Sequence, residues 1–121
     1  MEIKAIYFIS TAAITILFLI SHFGKERGWY KKKGNWFSRI MHFYAGFFVA
    51  MFWSGFTGCI LSIIGLTFAA GVLWEVAEYI TGIFMKRLGR YDMMPKKEDT
   101  IEDLICDILG ACVAVLAFII F

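Results

Sequence analysis

The sequence predicts an all-α protein, a four-transmembrane-helix bundle with both termini extracytoplasmic. Three observations carry that expectation. The chain of 121 residues is 60% hydrophobic and only 18% charged, against about 45–50% apolar and about 25% charged in a soluble domain. Its apolar residues gather into four long runs separated by polar loops. Of its 12 Lys and Arg residues, all but Lys4 fall into two of those loops, which a four-span path puts on one side of the membrane.

Each run is long enough for its role. A hydrocarbon core about 30 Å thick takes roughly 20 residues of helix. The expected spans are about residues 3–23, 40–56, 58–84 and 104–121, within a single transmembrane domain, 1–121. The first carries only Lys4 at its edge, and the second has no Lys, Arg or acid. The third is interrupted by Glu75 and Glu78, the fourth by Asp107. Ser54-Gly55-Phe56-Thr57-Gly58 between the second and third has room only for a tight turn joining antiparallel helices.

Orientation follows from the basic residues. Lys25, Arg27, Lys31, Lys32, Lys33 and Arg39 occupy the loop 24–39; Lys86, Arg87, Arg90, Lys96 and Lys97 occupy the loop 85–103. Both loops are expected to be cytoplasmic. The start of the chain lacks the basic n-region and the A-x-A site of a cleavable signal peptide. Cys59, Cys106 and Cys112 have no C-x-x-C spacing and read as packing residues. His22 reads as an interfacial residue.

The polar residues within the runs converge in depth. Counting 1.5 Å per residue from Gly58 brings Glu75 and Glu78 to the cytoplasmic boundary. Three apart, they share a helix face. Asp99, Asp103 and Asp107 recur every four residues, and His42 lies at the cytoplasmic start of the second span. Small residues at four-residue spacing mark the faces where membrane helices approach closely. Gly46, Ala50 and Ser54 continue from His42; Gly71 precedes Glu75, and Gly110 and Ala111 follow Asp107. His42, Glu75, Glu78, Asp103 and Asp107 are therefore expected to point into the bundle.

A charge at the bilayer centre costs about 2.5–3.5 kcal/mol on insertion scales. Several carboxylates together require proton uptake, pairing with His42, Arg39, Lys86 or Arg87, or a bound cation. Carboxylates with one imidazole suit a divalent cation, Mg²⁺, Mn²⁺ or Zn²⁺. The expected metal set is His42, Glu75, Glu78, Asp103 and Asp107, with His42, Glu75 and Asp107 as the catalytic candidates. More ordinary roles compete: Asp99 and Glu102 suit a helix start, and Glu78 suits an interfacial pair with Lys86 or Arg87.

Trp29, Lys31, Lys32, Lys33, Trp36 and Arg39 combine an interfacial aromatic belt with a basic cluster. That combination points to anionic membrane lipid rather than nucleic acid. The sequence holds no P-loop, G-x-S-x-G or H-E-x-x-H motif. Three function classes remain. One is metal-dependent chemistry on a lipid or lipid-linked phosphate at the cytoplasmic leaflet. Another is proton- or ion-coupled transport by a homo-oligomer. The last is a non-catalytic membrane partner or holin-like protein.

Met41-His42-Phe43-Tyr44-Ala45-Gly46, Trp74-Glu75-Val76-Ala77-Glu78 and Asp99-Thr100-x-x-Asp103-x-x-x-Asp107-x-x-Gly110-Ala111 follow one another in an order that resembles the VanZ-like and YjdF-like small membrane proteins. The resemblance covers roughly residues 36–115. VanZ-type sequences tend to carry Asn where this chain has Asp107, so the YjdF-like branch is the closer one. The resemblance implies a compact multi-pass protein of the bacterial inner membrane and names no reaction.

Overall fold

The computed structural model describes residues 2–26, 36–89 and 97–120. They form four helices: α1 (Ile3–Glu26), α2 (Trp36–Ser54), α3 (Ile60–Arg87) and α4 (Lys97–Ile120). No strand occurs among the described residues. Two of the helices are long and apolar enough to cross a membrane by themselves, over Ile3–Gly24 and Ile60–Arg87. The other two helices carry Arg39 and His42 on α2, and Glu102, Asp103 and Asp107 on α4.

The helices alternate in direction. Tyr7, near the start of α1, packs tilted against Phe52 at the end of α2. Ser38 meets Asp103 and His42 meets Asp107, an unchanging offset of 65 residues, so α2 and α4 run parallel. The turn after α2 is closed by Trp53 O, which accepts from the backbone N–H of Phe56 and Thr57. At the other end of α3, Leu88 N–H and Gly89 N–H donate to Phe84 O and Lys86 O. Gly89 adopts φ +70°, the left-handed conformation glycine provides at a helix end. Lys86 and Arg87 lie in that last turn, where they complement the helix dipole.

α2 and α4 form the most extensive helix contact, and α3 packs on both, whereas α1 packs on α2. Two glycines set the closeness of the central pair. A Cβ on Gly46 would collide with the backbone of Asp107, and one on Gly110 with the backbone of Phe43 and Phe47. Past this crossing, Ala50, Ile63, Ala111, Ala114 and Val115 form an apolar core flanked by Phe47, Trp53 and Ile64. Tyr7, Phe52, Trp53 and Phe56 close that end with tilted and edge-on ring contacts.

The distribution of polarity is inverted relative to a protein in water. Phe8 and Leu61 are 76% and 82% exposed, while His42 and Glu75 are each 6% exposed. A large apolar side chain gains roughly 1.5–3 kcal/mol on leaving water, so an apolar exterior around a polar interior fits a lipid environment.

The helices overrun the expected spans at the polar end. α2 starts at Trp36 rather than near residue 40, and α4 at Lys97 rather than near 104. The added turn carries Ser38 and Asp103 into the bundle, where they bond to each other. That pairing supports a turn that its polarity alone would have assigned to a loop.

Candidate functional site

The polar residues meet where α2, α3 and α4 converge. On α2, Ser38, His42, Gly46 and Ala50 follow one another at four-residue spacing, so all four face the neighbouring helices. The buried residues of α3 repeat likewise at Ile63, Thr67, Gly71 and Glu75. Asp103 and Asp107 occupy the matching positions of α4, and both are buried.

His42 stands at the centre. Its Nδ1 lies 3.0 Å from Asp107 Oδ1. An ionised carboxylate only accepts hydrogen bonds, so with Asp107 ionised the His42 Nδ1–H is the donor of this contact. Nε2 is left facing Glu75 Oε1 at 3.4 Å and Asp103 Oδ2 at 3.3 Å. The Ser38 hydroxyl donates to Asp103 Oδ1 and Oδ2 at 3.1 and 3.2 Å. Trp74 Nε1–H donates to Glu78 Oε1 at 3.0 Å.

Not every acceptor is satisfied. Both Glu75 oxygens and Asp107 Oδ2 are buried without a hydrogen-bond partner. A buried polar atom left unpaired costs about 1–3 kcal/mol, and more when charged. Glu75, Asp103 and Asp107 surround one imidazole, which carries at most one positive charge. Protons or a cation must supply the rest of the balance.

The donor set suits a cation. His42, Glu75, Glu78 and Asp103 each offer one ligand atom, and the four atoms lie within 4.8 Å of one another. Three are carboxylate oxygens, the ligands that Mg²⁺ and Mn²⁺ favour, joined by one imidazole nitrogen of the kind Mn²⁺ and Zn²⁺ accept. The orphaned Glu75 oxygens are what such an ion would engage. Asp107 stands outside this group of four and bonds to the far ring nitrogen of His42.

At the rim, Arg39 donates to Glu102 through Nε and Nη2, and the hydrogen bonding to that carboxylate holds the guanidinium pKa above its ordinary value. Arg39 therefore has a protein partner besides any lipid. Trp29, Lys31, Lys32 and Lys33 lie outside the described residues, as do the side chains of Trp36 and Asp99. Cys59 is exposed, Cys106 and Cys112 are partly buried, and all three are free thiols.

Sequence reasoning missed Ser38 and Thr67. Each is one step along a stripe it had recognised: Ser38 precedes His42 by four, and Thr67 precedes Gly71 by four. Thr67 is almost fully buried and donates its hydroxyl to Ile63 O at 2.8 Å.

Residues 4–121 match the family described as predicted membrane protein (DUF2238), and the chain belongs to that family. An uncharacterized protein of Thermotoga maritima is 34% identical over an aligned length of 105, and the match covers 78% of this chain and 53% of that protein. The chain thus spans about half the length of this curated relative. No solved structure matches it.

Proposed function

We propose that the protein is a four-span enzyme of the bacterial inner membrane. It uses a divalent cation held by His42, Glu75, Glu78 and Asp103 to act on the phosphate of a lipid or lipid-linked substrate at the cytoplasmic leaflet. One observation carries the reading: Glu75 is buried with both oxygens unpartnered, in a group whose ligand atoms converge within 4.8 Å. The ion would supply Lewis-acid polarisation of the phosphoryl oxygens. Asp107 fixes the ring of His42, as a carboxylate behind a ligating histidine does in many metal sites. Ser38 fixes Asp103 in the same manner. With both ring nitrogens of His42 engaged, by the ion and by Asp107, Glu75 is the candidate for moving a proton to or from the substrate through the oxygen that the ion does not take.

Arg39, Lys86 and Arg87 flank the same end of the bundle as the cluster, which supports a cytoplasmic site, extracytoplasmic termini and attraction to anionic headgroups. The order His42, Glu75, Glu78, Asp103, Asp107 supports placement near the YjdF-like branch.

Titrating the purified protein in lipid nanodiscs with Mn²⁺ tests the proposal. It predicts saturable binding of one ion per chain, lost in Glu75→Gln, together with metal-dependent turnover of a phosphate-bearing lipid. Absence of saturable Mn²⁺ binding overturns it. Proton or ion flux through liposomes by an oligomer, without metal binding, would transfer the cluster to transport.

A further inference from the structure

Beside the cluster is a cleft that metal binding leaves unexplained. α1 and α3 make no close backbone approach among the described residues. They meet through side chains, Phe18 packing edge-on against Trp74 at 5.6 Å between ring centroids. Between these helices, on the surface of α2, lies a cavity of about 150 Å³. A second cavity of about 100 Å³ continues toward Glu78 and Thr81, sharing Phe18, Ser21 and Trp74 with the first. The walls of the larger cavity are mostly aliphatic and aromatic, and Ala45, Ala70 and Gly71 contribute little more than backbone.

Its floor is different in character. His42 and Asp107 line it, and Asp107 Oδ2 lies so close to Gly71 that a Cβ there would collide with it. That oxygen has no hydrogen-bond partner, and Asp107 is only 4% exposed. Asp107 Oδ1 is occupied by His42 Nδ1, and Thr67 in the wall spends its hydroxyl proton on Ile63 O. Ser21 and Trp74 also line the cleft, yet Asp107 Oδ2 remains an acceptor with no donor, which a donor attached to something apolar would fill.

We propose that the α1/α3 cleft is the chain site of the substrate. It takes one hydrocarbon chain of a membrane amphiphile that carries a hydroxyl or amine next to that chain, and the donor pairs with Asp107 Oδ2. The proposal rests on the phosphate-directed reading above and narrows its substrate class. The larger cavity equals in size an engineered apolar cavity that accepts benzene, about 150 Å³. That is room for one chain segment and too little for two side by side. The occupant follows from the position of the cleft: it lies between the two helices most suited to crossing a membrane, where hydrocarbon is the surrounding medium. Its two cavities also give the ligand a direction. The chain lies toward Ile14 and Val49 in the apolar half, and the polar neck passes Phe18 and Trp74 toward Glu78.

Trp74 makes the test direct, because it lines both cavities. With Trp29, Trp36 and Trp53 changed to Phe, it is the sole indole of the full chain. Terminally brominated octanol and bromooctane are added to the protein in nanodiscs, and Trp74 quenching is followed. The proposal predicts saturable quenching by the alcohol, about tenfold tighter than by bromooctane, as expected for one hydrogen bond to a buried charged acceptor. Ala70→Phe fills the cavity and should remove the saturable component while Mn²⁺ still binds.

Equal, non-saturating quenching by both probes in the protein with Ala70 intact shows contact with bulk lipid only and overturns the proposal. That comparison needs no folded cavity variant. Unchanged saturable quenching in folded Ala70→Phe also overturns it. Mn²⁺ binding without saturable quenching defeats the chain site and leaves the metal reading standing. Saturable quenching without Mn²⁺ binding supports the chain site and defeats the metal reading.

Discussion

The two ends of the bundle are held together by opposite means. At one end Ala50, Ile63, Ala111, Ala114 and Val115 fill the interior with small and branched apolar groups. At the other, His42, Glu75, Asp103 and Asp107 occupy the equivalent interior positions of the same helices. The stripe of α2 crosses from one regime to the other within a few turns. The apolar end leaves one neutral donor, Trp53 Nε1–H, without a partner, whereas the polar end leaves three carboxylate oxygens so, two of Glu75 and one of Asp107. A bilayer supplies no water to satisfy such atoms, so their retention points to a ligand rather than to stability.

The largest effect should come from the crossing that serves both ends. Gly110→Ala drives a methyl into the backbone of Phe43 and Phe47, and overpacking against backbone should cost about 3 kcal/mol or more. Thermal unfolding in nanodiscs should show the loss. Gly65→Ala, at a helical site with nothing near the added carbon, should leave the midpoint unchanged or raise it by up to about 1 kcal/mol of stability. Equal behaviour of the two variants would remove the close crossing from the account.

The ends should then separate. Ile63→Ala leaves a void in the apolar core and should destabilise by about 2 kcal/mol, the low end of such changes because lipid competes for apolar contact. Glu75→Gln in metal-free protein should be neutral or stabilising by about 1 kcal/mol, since it removes one member of a crowded carboxylate set. If Glu75→Gln proves as damaging as Ile63→Ala without metal, the polar end is structural.

Within the polar end, Asp107→Asn keeps the size of the side chain but no longer requires the proton on His42 Nδ1. Mn²⁺ affinity should fall about 10–100-fold with little change in the unfolding midpoint. The smallest effect belongs to the exposed Arg39–Glu102 pair. Arg39→Gln should give a slight, salt-sensitive change in stability and no change in ion stoichiometry. A loss of metal on Arg39→Gln would extend the site to its rim.

Much of this architecture was legible in the sequence, for identifiable reasons. Four apolar runs foretold four helices. Four-residue spacing put His42, Glu75, Asp103 and Asp107 on inward faces, because the helical period is indifferent to the solvent outside. The helix starts were less legible, since hydropathy ends a span where polarity begins, while α2 and α4 continue through the turn bearing Ser38 and Asp103. Which carboxylate lies on which side of the imidazole was not legible at all. Stripe positions do not reveal that Asp107 takes Nδ1 while Glu75 and Asp103 face Nε2. The α1/α3 cleft was hidden for a similar reason, because α1 marks its inward face with only Ser10 and Ser21, about three turns apart, and scatters Thr11, Thr15 and His22 elsewhere.

In the proposed site His42 Nε2 joins the carboxylates in holding one divalent ion. Nitrogen hyperfine coupling to Mn²⁺ bound to the full-length chain in nanodiscs tests it most directly. One directly coordinated nitrogen per ion is expected, a coupling that disappears in His42→Ala and persists in Arg39→Gln. Saturable Mn²⁺ binding with no nitrogen coupling, or a coupling that survives His42→Ala, would contradict it.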